Sequence, residues 1–133
     1  MNNAIPAPGQ FVWHDLMTTA LEESRQFYRD VVGWGYKPLR VKGFEVPLIE
    51  VGEREIGSLM PFDPALGFPS HWVTYVSVTD LEARIKHAES LGAKVCVPPH
   101  DTPDIGRFSL LTDPQGALIN FFEFSPKRQL KPR

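Results

Sequence analysis

Asp15 and His71 are the side chains in this sequence best set for proton chemistry. A carboxylate beside an imidazole in a partly dry cavity can hold a pKa suited to general acid–base work. Side chains alternate along a strand, so Asp15 shares a face with Trp13, two residues before it. His71 shares a face with Val73 if that strand begins early enough. The competing reading is a histidine at a strand mouth and an aspartate bonded to backbone. Alternation turns His14 away from Trp13 and Asp15, and turns Glu123 away from Asn120. His100 and Asp101 fall in an irregular stretch, Pro98 to Ile105, where a lid role and plain solvation both stay open. His87 lies on a polar helix face and reads as solvated. Arg107, at a loop-to-strand boundary, could grip a carboxylate or sit in a surface salt bridge.

The same alternation gathers Trp13, Met17, Val73, Tyr75, Leu118 and Phe122 as an aromatic and apolar lining, with Asn120, Asp15 and His71 as its polar points. Such a mixture suits a small organic ligand, the apolar wall supplying affinity and the polar groups orientation. Trp13 and Tyr75 favour a pocket over a filled core, because their N–H and O–H groups would have to be satisfied in a closed one. The sequence has no glycine-rich phosphate loop, no cysteine pair for zinc and no nucleophile elbow. Its single cysteine, Cys96, excludes an intrachain disulfide and, between Val95 and Val97, reads as a buried inert thiol.

These residues must be positioned by two copies of one unit. Thr19-Ala20-Leu21-Glu22 matches Thr79-Asp80-Leu81-Glu82, and each follows a strand-like run, Phe11 to Met17 and Trp72 to Val78. Each also precedes a helical stripe: Leu21, Tyr28 and Val32 widened by Phe27 and Val31, then Leu81, Ile85, Ala88 and Leu91. Gly33 and Gly92 supply stops, and Thr19 and Asp80 supply N-caps. Three strand candidates follow each helix: Tyr36–Val41, Phe44–Val51 and Glu55–Met60, then Lys94–Val97, Phe108–Thr112 and Leu118–Phe124. Pro47 makes its strand an edge or bulged one. The last two strands are joined at Asp113-Pro114-Gln115-Gly116, a turn specified by proline's fixed φ, the aspartate's reach to backbone and glycine's tolerance of positive φ.

The 133 residues are read as one α+β domain, with module one at about 10–61, a proline-rich linker at 62–70, module two at about 71–125 and a basic tail at 126–133. Sixteen acidic residues against 14 basic, with no basic stripe, point away from nucleic acid and anionic membrane. The first residues lack the blocks of a signal peptide, and no apolar run is long enough to cross a bilayer, so a cytoplasmic location is expected.

A tandem βαβββ pair resembles the vicinal oxygen chelate superfamily. Phe11 to Thr19, Phe27-Tyr28, Gly33-Trp34 and Gly106-Arg107-Phe108 with the Asp-Pro-Gln-Gly turn resemble its glyoxalase and bleomycin-resistance branch. The resemblance implies curved half-barrel sheets around a ligand cavity, and pairing into dimers. Phe27, Val31 and Trp34 are the expected contributors to a homodimer, since an open half-barrel leaves an apolar face to cover. It also implies up to four metal-ligand positions, which fall here at Trp13, Val73, Asn120 and near Gly57 or Ser58. Tryptophan and valine offer no lone pair and asparagine is a weak donor, so no metal and no other cofactor are expected. The readings rank as a metal-free binder of a small organic metabolite or antibiotic-like ligand, then a metal-independent acid–base enzyme using Asp15 and His71. A metal enzyme with displaced ligands, among them Asp15, His71 and Asn120, comes third. Glyoxalase activity is not expected.

Overall fold

A computed structural model describes residues 5–41 and 43–126; the tail residues Lys127, Arg128, Lys131 and Arg133 lie outside them. The described elements run β1 (Phe11–Thr18), α1 (Leu21–Val32), β2 (Gly35–Val41), β3 (Phe44–Val51), β4 (Arg54–Pro61), β5 (His71–Ser77), α2 (Leu81–Ser90), β6 (Lys94–Thr102), β7 (Gly106–Thr112) and β8 (Leu118–Phe124). This is βαβββ twice, the α+β arrangement read from the repeat. Two compact units divide the chain, Trp13–Val73 in one and residues up to Val12 with those from Thr74 onward in the other.

In the Trp13–Val73 unit the strand order is β2-β3-β4-β1, with β1 and β4 parallel and the others antiparallel. Leu16, Ile49 and Leu59 form its core, covered by Leu21 and Tyr28 of α1 with Trp34, Tyr36 and Ile56. Complete burial of a side chain such as Leu59 is worth roughly 1.5–3 kcal/mol, so this face fixes the β1–β4 register at Leu16↔Leu59. Pro47 is not on an edge, because β2 covers that side. It faces Pro38 across the β2–β3 pair, the register shift comes at Ile49/Glu50, and the paired run with β4 starts only at Leu48, which spares β4 an unmatched partner.

Helix α1 starts differently from expectation. Ala20 is its N-cap, with no side-chain bond, and Thr18 rather than Thr19 organises the entry: its Oγ1 accepts from Ala20 N at 3.0 Å and lies 2.7 Å from Ser24 Oγ. The C-terminus ends as expected, Gly33 taking φ 79° and donating to Arg29 O at 3.1 Å. The stripe is only half used, for Phe27, Val31 and Val32 stay exposed and α1 buries no residue completely.

In the other unit the order is β5-β8-β7-β6. Leu81 and Ile85 of α2 are buried, as is Leu111 of β7, whereas Leu91 is exposed. Asp80 caps α2 by accepting from Ala83 N at 3.3 Å. The β7–β8 turn forms by the expected mechanism: Asp113 Oδ1 accepts from Gln115 N and Ala117 N, each at 2.9 Å, and Gly116 takes φ 91°. Strand β6 continues to Thr102, so most of the expected Pro98–Ile105 loop is strand, admitted through shifts at Val95/Val97 and Val97/His100. Cys96 is exposed rather than buried, since its half-buried neighbours Val95 and Val97 hold the inward phase of β6. None of the described helices is long and apolar enough to cross a membrane.

Candidate functional site

Each unit turns one sheet face away from its helix, and most of the residues singled out from sequence lie there. In the Trp13–Val73 unit the row is set by Asp15↔Ser58 and Met17↔Met60. Asp15 is buried, and its Oδ1 accepts from Trp13 Nε1 at 3.1 Å and from Ser58 Oγ at 2.5 Å. Trp13, Asp15 and Met17 therefore share the face expected of them, and His14 is exposed opposite Gly57. Two donors converging on one carboxylate oxygen make Asp15 an organiser of Trp13 and Ser58. Ser58 was foreseen only as a vacant ligand position, and the β1–β4 register is what makes it the partner of Asp15.

His71 has other surroundings. Its Nδ1 lies 2.8 Å from Pro69 O, its ring meets Phe62 and Phe68, and it lines a groove beside α1 together with Leu16, which sits on the helix face of β1. Asp15 is not among the residues that line this groove. Val73 is buried in β5.

In the other unit Tyr75↔Asn120, Leu110↔Asn120, Phe108↔Phe122 and Thr112↔Leu118 put these residues on one face. Tyr75 stands 6.1 Å from the rings of both Phe108 and Phe122, and Phe122 stands 4.8 Å from Phe124. Asn120 is 5% exposed among them, and its Oδ1 has no hydrogen-bond partner among the described residues. A buried acceptor left unpaired costs about 1–3 kcal/mol, so it calls for a donor from elsewhere. Phe108 and Leu110 were not picked out from the sequence, although alternation from the Asp113 turn would have found them. Leu118, at the turn end, is 37% exposed.

Arg107 belongs to the opposite, α2-facing side. It makes a bidentate pair with Glu82 at 2.5 and 3.0 Å and donates through Nε to Asp101 at 3.1 Å. The bonds to Arg107 hold the Glu82 carboxyl below its usual range and, reciprocally, raise the guanidinium. Glu123 joins that side, accepting from Leu81 N at 3.3 Å. With its guanidinium so engaged, Arg107 is a structural clamp across β6, β7 and α2.

Among the described residues no three His, Cys, Asp or Glu side chains come together as a metal would need. Tight divalent binding does not fit the set Trp13, Val73, Asn120 and Ser58, which holds no imidazole, thiolate or carboxylate.

Residues 10–121 match the model of the Glyoxalase/Bleomycin resistance protein/Dioxygenase superfamily, and the chain belongs to that family. Among its relatives is the Mycobacterium tuberculosis (strain CDC 1551 / Oshkosh) protein named "Putative glyoxylase CFP32", 32% identical over 121 residues, which cover 90% of this chain and 46% of the relative. Another is the anthracycline biosynthesis protein DnrV of Streptomyces peucetius, 30% identical over 87% of this chain and 42% of that one. The chain thus spans less than half the length of these relatives. Methylmalonyl-CoA epimerase from Mycobacterium tuberculosis shares the fold, with a TM-score of 0.62 at 17% identity over 97% of this chain and 99% of that one.

Proposed function

We infer that this chain binds a small organic ligand carrying aromatic or apolar rings and at least one hydrogen-bond donor, and that it does so without a transition metal. The observation that carries this reading is the unpaired Oδ1 of Asn120, buried beside Tyr75, Leu110 and Phe122. Rings would stack on Tyr75, Phe108 and Phe122, and a ligand N–H or O–H would satisfy the amide oxygen. The name of the Streptomyces relative supports a fused-ring ligand, since anthracyclines are flat, hydroxylated polycycles. The test is mass spectrometry of small molecules that co-purify with the chain, followed by thermal-shift screening against hydroxylated fused-ring quinones and their non-hydroxylated parents. Equal shifts from the two series would sink the role given to Asn120.

The metal-free part has its own test. Ni²⁺, Zn²⁺ or Mn²⁺ added to metal-stripped protein should barely move its melting temperature, whereas native-state binding at a hundredfold excess over Kd would stabilise it by about 2.7 kcal/mol. A rise of that size would restore a metal-dependent reading.

A second reading, metal-independent proton transfer, rests on the burial of Asp15 between Trp13 and Ser58. Asp15→Ala strands both donors and should cost about 2 kcal/mol in urea unfolding. Asp15→Asn keeps the shape and an acceptor oxygen. On the binding reading it leaves ligand affinity nearly unchanged, and loss of a measurable turnover in a stable Asp15→Asn protein would favour the enzyme.

A further inference from the structure

The groove beside α1 is a second candidate site, distinct from the face that carries Asn120. It is an open groove of about 550 Å³, lined by Leu16, Glu23, Ser24, Phe27, Tyr28, Ser70, His71 and Trp72, all within the Trp13–Val73 unit. Helical spacing explains the α1 part, because Glu23 and Phe27, and likewise Ser24 and Tyr28, are four residues apart on one face.

Its aromatic rings are set as walls meeting at right angles. Phe27 meets Tyr28 at 89° with centroids 5.0 Å apart, and Trp72 meets Tyr28 at 78° and 5.7 Å. Trp34 backs the arrangement, stacked on Tyr28 at 4.9 Å and edge-on to Trp72 at 5.8 Å. Phe27 and Trp72 remain 55% and 41% exposed, so their outer surfaces are open to a ligand.

The polar lining selects the sign of charge. No lysine or arginine lines the groove, and the carboxylate of Glu23 has no partner among the described residues. The neighbouring cations are engaged elsewhere: Arg25 pairs with Glu22 at 3.1 Å and lies 5.5 Å from the centre of the Tyr36 ring, and Arg29 pairs with Asp30 at 3.2 Å. His71 donates through Nδ1 to the Pro69 carbonyl, so in the neutral ring Nε2 is the nitrogen left to accept. The hydroxyls are partly used, Ser24 with Thr18 and Ser70 accepting from Thr19 N. A groove with orthogonal aromatic walls, a free carboxylate and an acceptor nitrogen matches an organic cation, whose positive face aromatic rings attract and whose N–H or O–H groups the acceptors receive.

We propose that this groove binds a small organic ammonium ion, of the quaternary or methylated amine class. The experiment titrates the whole chain with choline and with its uncharged isostere 3,3-dimethylbutan-1-ol, read by calorimetry and tryptophan fluorescence. Choline should bind saturably and roughly tenfold more tightly than the isostere, the difference being the cation's attraction to the rings and to Glu23. Glu23→Gln, a change at an exposed position, should remove most of that preference while leaving the melting temperature unchanged. Asn120→Leu, in the other unit, should leave choline binding as it was, so the two sites stand or fall separately. Equal binding of choline and the isostere, or no saturable choline binding, would overturn the proposal. So would a wild-type dimer that Phe27→Glu dissociates while neither form binds choline; the groove would then belong to a second copy of the chain.

Discussion

Gly57→Ala should lower the unfolding free energy by about 3 kcal/mol, the upper range for forcing atoms into packed structure. A Cβ at residue 57 would be driven into the carbonyl oxygen of His14 on the paired strand, and this obstacle is backbone, which cannot turn aside as a flexible side chain could. Gly106→Ala meets a like obstacle in the other unit, with Glu123 O and Phe122 Cε1 in its path, the latter 2.6 Å away. Gly35→Ala is the control, since its nearest neighbour, Glu50 O, is 3.8 Å off and in ordinary contact. Urea unfolding of the three variants checks this. A Gly57→Ala protein as stable as Gly35→Ala would mean that β1 and β4 do not approach as closely as the structure shows. The strain would also displace Asp15 and Ser58, which adjoin this pair in the same register.

Asn120→Leu should separate stability from function. Leucine keeps asparagine's branched four-atom skeleton and removes the buried unpaired oxygen, so the variant should gain about 1 kcal/mol in unfolding free energy. A ligand that hydrogen-bonds this oxygen should lose roughly tenfold or more in affinity, because its donor would then be buried without an acceptor. Opposite movements in a melt and in a binding isotherm would mark a residue kept for its partner. If stability and affinity fall together, Asn120 is an ordinary structural residue, and the inferred ligand donor has no place to go.

The parts of this molecule that local chemistry specifies could be read from the residues. Asp113, Pro114 and Gly116 fix their turn within four positions, and the turn fixes the β7–β8 register, so Leu118, Asn120 and Phe122 fell on one face as expected. The repeated Leu-Glu helix starts gave both βαβββ copies for the same reason. What escaped depends on partners distant in sequence. Pro98 and Pro99 looked like loop residues, but bulges against β7 and the Ser109 hydroxyl donating to Val97 O at 2.7 Å keep that segment a strand. Cys96, read as buried from its valine neighbours, takes the exposed phase of β6, where half-buried and exposed residues alternate. Arg107 looked available until Glu82, 25 residues earlier, and Asp101 were brought to it by folding. Asp15 was legible as a polar point; its obligation to Ser58, 43 residues away, was not.

The placement of prolines bears on how copies of this chain can meet. Strand β2, at one end of its unit's strand order, carries Pro38 with Lys37 and Arg40, and β6, at one end of the other, carries Pro98 and Pro99 within the register shift between Val97 and His100. A ladder grows only where an outer strand offers a regular row of N–H and C=O groups, and missing donors, buckled backbone and fixed charge each interrupt that row. Both rims are therefore poor templates for cross-β growth. The hydrophobic segments Phe44–Val51 and Leu118–Phe124, which as free peptides would be prone to stack, sit one or two strands in from those guarded rims. Concentrated protein should remain free of fibrils until a unit unfolds and frees them.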